Sequence, residues 1–257
     1  MKASVRVRVR VLGRMHLQAA GVLVPAAAFP GRQGRLAFAY LVVHPRPVTR
    51  DELAEAIWGG PGPENCQRHL AAIISKLRAL LARVGLGDSD VLLAAPGAYE
   101  LCLPADVEVD FHAAVAYQED AEAFLRAGDG ERALVAADTA ANLARRQLLP
   151  GEQAPWLDRQ RANLRLALVR VLEIEVDLLR LRGDLHDARR PAQEAVDLEP
   201  FRESAHAHLM RVYLAEGNRA EGLRAYQRCR QLLADELGVD PGAEAQATYH
   251  ELLRADS

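Results

Sequence analysis

Residues Glu64 to Gly85 read ENCQRHLAAIISKLRALLARVG, and their spacing decides how the rest of the chain is read. At helical period, Leu70, Ile74, Leu77, Leu81 and Val84 share one side, while Asn65, Arg68, Ala72, Ser75, Ala79 and Arg83 share the opposite one. The first side is a core face. The second combines small and basic residues, which suits a helix that approaches a phosphate-lined groove closely. The same pattern describes an amphipathic helix whose basic face is simply solvated, so the flanking sequence has to discriminate.

Working upstream, Gly59, Gly60, Pro61, Gly62 and Pro63 form a turn that no helix crosses. Before it, TRDE at Thr49 to Glu52 is a capping box opening a short helix with Leu53, Ile57 and Trp58 on its buried side. Residues 34–44, GRLAFAYLVVH, predict another helix, which Pro45 and Pro47 stop. Val5, Val7, Val9 and Val11 alternate with Arg6, Arg8 and Arg10, which predicts a strand with a solvated arginine face. Met15 to Gln18 and Gly21 to Val24 have the size of two further strands.

Working downstream, Val91 to Leu93 and Tyr99 to Leu103 flank a turn containing Pro96 and Gly97 and predict a hairpin. Sheet, three helices and hairpin is the order of a winged helix, in which the third helix enters the major groove and the hairpin lies beside it. Through PVTRDELAEAIWG, LxxxISKLRALL and PGAYEL, residues 1–105 resemble the OmpR-type DNA-binding domain. That resemblance implies phosphate contact by Thr49 and Arg50, and backbone and base contacts by Asn65, Arg68, Ser75, Lys76 and Arg78. Arg78 lies at the flank of the apolar stripe, where a structural ion pair with the acidic half competes with DNA. Ala71, Ala72, Ile73 and Ala79 stand where relatives often carry polar or basic groups, and residues 91–103 contain no basic residue, with Glu100 where an arginine is common.

Charge is divided along the chain. Residues 1–105 hold 13 Lys and Arg against 7 Asp and Glu, whereas residues 106–257 hold 19 against 28. A basic front joined to an acidic back fits a nucleic-acid-facing module followed by one that is not. With 50% hydrophobic and 26% charged residues the composition is that of a folded protein. Cys66, Cys102 and Cys229 are odd in number and form no paired motif, so neither a disulfide framework nor a zinc site is expected. The longest apolar run, Leu36 to Val43, falls far below the roughly 18–20 residues that span a bilayer. A soluble, cytoplasmic protein with no membrane partner is expected.

Residues 106–257 read as nearly all helix, and the pattern repeats. Gly128-Asp129, Gly183-Asp184 and Gly217-Asn218 each follow an apolar helix end, and Ala133, Ala188 and Gly222 stand five positions after the glycine. Glycine permits a left-handed turn, Asp or Asn caps the next helix, and a small residue allows close packing. The interval from Gly183 to Gly217 is the tetratricopeptide period; that from Gly128 to Gly183 is longer, with an insert that includes LLPGEQAPW, Leu148 to Trp156. Trp58 and Trp156 are expected as core anchors, Trp156 with the alternative of lining a groove.

The stretches LLPGEQAPWLDRQRANL, RGDLHDARRPAQEAV and LADELGVDPGAEAQATYHELL resemble the bacterial transcriptional activator domain. Together the halves resemble the Streptomyces antibiotic regulatory protein family over almost the whole chain. The fold implied is multidomain: an N-terminal α+β winged helix of OmpR type over residues 1–105, then an all-α tetratricopeptide-like helical-repeat domain over 106–257. The function implied is a transcription activator, pathway-specific in secondary metabolism, that binds direct repeats of double-stranded DNA near promoters and contacts RNA polymerase holoenzyme. Self-association through the helical repeats is implied as well. Many relatives continue into an ATPase domain, and by that measure this chain is a short form. A second reading is a protein-interaction module with a degenerate winged helix, acting by oligomerisation or docking.

No phosphate-binding glycine loop, GxSxG or HExxH is present, so no catalytic residues, cofactor or metal site are expected, and an enzyme is not. His206 and His208 point to different sides of a helix and form no metal pair. Glu173, Glu175 and Asp177, like Asp235 and Glu236, are expected to be solvated edges.

Overall fold

A run of β-prone valines opens the chain, and what it needs is a partner on each side. In the computed structural model, which describes residues 7–60, 62–87 and 91–254, strand β1 (Arg8–Arg10) pairs antiparallel with β2 (His16–Ala19), which pairs antiparallel with β3 (Val22–Pro25). Val9 and Leu17 face each other fully buried. Val5 and Arg6 lie outside the described residues. Helices α1 (Gly31–Val43), α2 (Arg50–Trp58) and α3 (Cys66–Ala82) follow, α1 starting three residues ahead of the predicted Gly34. Between α1 and α2 lies the short strand β4 (Val48–Thr49), and after α3 come β5 (Leu92–Ala95) and β6 (Ala98–Leu101). These three form one sheet in the order β4, β6, β5. The fold is a winged helix.

The stretch after the hairpin departs from the all-helical expectation. β7 (Glu108–Val109) runs parallel to β1 and completes a four-stranded sheet. Arg8 and Arg10 therefore do more than face solvent, because both pair with Glu108. The next residue, Asp110, is fully buried and accepts hydrogen bonds from the amides of Val11 at 2.9 Å and Leu12 at 3.0 Å. Burial pushes its carboxyl above the ordinary aspartate range, although those amides hold it down.

The chain divides into two units: residues 1–113 with 146–163, and residues 114–145 with 164–257. Residues 146–163 attach to the first unit through several independent bonds. Leu12 bridges Leu148, the Gly13 amide donates to Gln147 O, and the Leu149 amide donates to Val11 O. Arg161 donates to the carbonyls of Leu148, Leu149 and Glu152, and Glu152 pairs with Arg35. Trp156 is buried, and its indole N–H donates to Ala56 O of α2 at 3.1 Å. It thus anchors a core and also lines a small cleft with Tyr40, Glu52, Glu55 and Arg159, whereas Trp58 is only half-buried.

The second unit is built from helical pairs. It takes in most of α4 (Asp110–Arg126), α5 (Gly130–Ala144), the later part of α6 (Pro155–Arg182), α7 (Leu185–Leu198), α8 (Glu203–Ala215), α9 (Arg219–Leu237) and α10 (Ala243–Arg254). Gly128, Gly183 and Gly217 all adopt the left-handed turn, with φ of 77°, 83° and 70°. Asp129 and Asn218 accept from the amides of Arg132 and Glu221 as N-caps, while Asp184 makes no side-chain cap. The small positions five residues later are sealed: Ala133 and Ala188 are fully buried, and a Cβ at Gly222 would meet Leu252 at 2.6 Å.

The acidic residues of α6 correct the solvated-edge expectation. Glu173 is buried and takes a two-pronged bond from Arg202, 2.8 Å on each oxygen, plus Ser204 at 2.6 Å. Glu175 is 6% exposed, and its Oε1 has no hydrogen-bond partner among the described residues. Burial pushes its carboxyl up to about 7, with Asp138 and Glu194 adding to the rise and Arg145 opposing it.

Candidate nucleic-acid interface

The candidate interface is assembled from α2, α3 and the β5–β6 hairpin. Thr49 starts α2, its hydroxyl accepting from the Glu52 amide at 3.1 Å as the capping box requires. The same residue belongs to β4, where Val48 faces Tyr99 and Thr49 faces Ala98. The Arg50 amide donates to Gly97 O at 2.9 Å, and the Arg50 guanidinium lies over the Tyr99 ring at 5.6 Å. The start of α2 and the tip of the hairpin are therefore one hydrogen-bonded piece.

Glu52 is the acidic member of that capping turn, and its charge is taken up locally. Arg46 donates to both its oxygens, at 3.1 and 2.5 Å, and Tyr40 donates at 2.7 Å. The Arg46 bonds hold the Glu52 carboxyl below its usual range, and burial pushes the Tyr40 hydroxyl up to about 12, which keeps it a proton donor. An acid beside the interface is thus neutralised by neighbours and repels an anionic ligand less.

Helix α3 is introduced by Asn65, whose backbone is left-handed at φ 67° and whose side chain caps nothing. The helix buries Leu70, Ile73, Ile74, Leu77, Leu80 and Leu81. Each such side chain contributes about 1.5–3 kcal/mol relative to exposure. Ile73 is therefore core, correcting its expected place among outward positions; it lies at the edge of the stripe, where periodicity alone is ambiguous. Arg68, Ala71, Ala72, Ser75, Lys76, Arg78, Ala79 and Arg83 are exposed.

These outward residues differ in how committed they are. Arg78 donates from Nε at 3.0 Å and from a terminal nitrogen at 2.9 Å to Leu92 O, tying α3 to the hairpin. Its competing role is thus a backbone bond to β5, where an ion pair with an acidic residue was expected. Gln67 donates to Asp51 at 3.3 Å, linking α3 to the first turn of α2. The side chains of Arg68, Lys76 and Arg83 have no hydrogen-bond or ion-pair partner among the described residues. Arg83, not among the expected contact residues, shares the outward side of Arg68 and Ala79, and its spacing from them in the sequence is signal enough to include it. The structure brings Thr49 and Arg50 together at the hairpin, and sets Arg68 and Ser75 along one exposed side of α3 with Lys76 exposed on its flank. Among the described residues, no group of three His, Cys, Asp or Glu could hold a metal ion.

The match to known families falls on the other half. Residues 109–253 match the model of the bacterial transcriptional activator domain. The chain belongs to that family, in the two-part form of the Streptomyces antibiotic regulatory proteins. Among relatives of this activator-domain protein, the regulatory protein AfsR of Streptomyces coelicolor is 30% identical over 88% of the chain, which spans 22% of AfsR. The regulatory protein DnrI of Streptomyces peucetius is 28% identical over 97% of the chain and 93% of its own length. The solved structure of Mycobacterium tuberculosis EmbR in complex with a low-affinity phosphopeptide superposes with a TM-score of 0.88 at 26% identity, covering 98% of this chain and 66% of EmbR. The activator-domain protein thus shares the winged helix and helical repeats of EmbR, and corresponds to only part of AfsR and EmbR.

Proposed function

We propose that this chain is a DNA-binding transcription activator that places α3 in the major groove of direct repeats near a promoter. The observation that carries the reading is the exposed side of α3, where uncommitted Arg68, Lys76 and Arg83 flank side chains no larger than serine or alanine, on a helix braced by α2 and the hairpin. Small side chains let the helix axis approach the groove, and free cations release counterions from phosphate. Thr49, Arg50, Asn65, Arg68, Ser75, Lys76 and Arg78 form the proposed contact set, Arg78 using the guanidinium donors that Leu92 leaves free. Residues 1–105 would carry DNA binding and residues 106–257 the contact with RNA polymerase and with neighbouring copies. The names of the relatives support regulation, and no catalytic arrangement argues for an enzyme.

The second reading, a winged helix that docks protein in place of DNA, draws on the hairpin, which has no basic residue, and on the alanines at the centre of α3. A mobility-shift titration on promoter-upstream fragments at two salt concentrations separates the two. The four cations of the contact set, Arg50, Arg68, Lys76 and Arg78, predict a log–log salt slope of roughly −3 to −4 per bound copy. Absence of any shift at low salt would leave only the docking reading.

A further inference from the structure

Resting on the DNA-binding reading, we infer that Arg68 is the residue that sets sequence specificity, by recognising a guanine edge in the major groove. Three other arginine side chains near the interface are already engaged: Arg46 by Glu52, Arg50 by the Tyr99 ring, and Arg78 by Leu92 O. Gln67, the other long polar side chain in the first turn of α3, is turned to Asp51. Arg68 has no such tie among the described residues, and it is exposed.

Helical position singles it out further. At about 100° per residue, Arg68, Ala72, Ser75 and Ala79 lie within roughly 40° of one direction, opposite Leu70 and Leu77, which are fully buried. Lys76 and His69 sit roughly 80–100° away, on the flank where phosphates line the groove. Arg83 shares the outward direction but stands at the far end of the helix, about 22 Å from Arg68. Recognition helices contact base edges with their N-terminal residues. Arg68 is in that first turn, and between it and Arg83 the outward line offers only methyl groups and one hydroxyl. A guanidinium fork matches the O6 and N7 acceptors of guanine, an arrangement that lysine, as a point charge, reproduces poorly.

The test starts from 20-base-pair duplexes with randomised centres, selected with the full chain. In the enriched duplex each guanine is replaced in turn by 7-deazaguanine, which keeps base pairing and removes the N7 acceptor. Arg68→Lys is then compared with wild type on the enriched duplex and on an unrelated one. The expected result is a loss of roughly 5- to 150-fold at one guanine per half-site on deaza substitution. Arg68→Lys should reproduce that loss, become insensitive to the deaza change there, bind the unrelated duplex within about twofold of wild type and melt at an unchanged temperature. Equal discrimination by Arg68→Lys and wild type, or insensitivity to deaza substitution at every guanine, would overturn the assignment. So would binding of all duplexes alike with no enrichment, which would leave DNA binding itself standing. No binding to any duplex at low salt would overturn both.

Discussion

The two units solve the packing problem with different side chains. In the first, the largest fully buried residues include Phe38, Leu17, Leu36, Leu53, Leu70 and Leu77, and the helices are held apart by bulk. In the second, a central cluster sets Ala121, Ala133, Ala136, Ala137, Ala140, Ala141, Ala195 and Ala205 of the surrounding helices against Leu168, Val169, Leu172 and Leu178 of α6, so small side chains on one partner let it close on a bulky other. The bulky core leaves α3 free to spend its outward face on small and basic residues, since its inward face alone fixes its position. The alanine core has no such division; there the helix surfaces themselves are the product, and ion pairs such as Arg145 with Glu194 and Arg165 with Glu199 join one repeat to the next.

The difference predicts opposite vulnerabilities. Leu77→Ala, at a fully buried position of α3, should open a cavity and cost about 4 kcal/mol in chemical denaturation. A cost below about 1 kcal/mol would mean that the first core collapses around the gap and is not held by bulk.

The carboxylate of Glu175 tests the second unit from within. Its folded pKa, about 7, lies above the ordinary glutamate value of 4.5, so between the two the folded state holds a proton that the unfolded chain releases. Stability from this group is therefore full below about 4.5 and falls as pH rises through 7, beyond which the deficit is constant. Glu175→Gln should raise stability by up to about 3 kcal/mol at pH 8 and change it little at pH 4.5, as read from denaturant midpoints. The same gain at both pH values would assign the effect to packing and not to charge.

Smallest of the three, Ala137→Leu should overpack the alanine cluster and cost about 2 kcal/mol, lowering the melting temperature of the second unit. Neutrality there would show that the close approach of helices is not what the alanines are for.

Local pattern carried much of this in advance. The stripe of α3, the capping Thr49 and the left-handed glycines at 128, 183 and 217 depend on residues within one or two turns of each other, so spacing reveals them. What periodicity missed depends on distant partners. β7 forms only because β1 offers an edge, and Asp110 is buried only because the amides of Val11 and Leu12 receive it. Glu173 stays buried only because Arg202 meets it, and Arg78 turns from groove to hairpin because Leu92 O is within reach. In the candidate interface the chemistry of each residue was legible, and its prior commitments were not.

The central claim is that α3 binds DNA through a few uncommitted cations. Its most direct test is the mobility-shift titration repeated with Arg68→Ala plus Lys76→Ala, alongside thermal melting. The account predicts weaker binding, a salt slope shallower by about 1 from the lost Lys76 phosphate contact, and an unchanged melting temperature. Unchanged affinity and slope would remove both residues from the interface and contradict it.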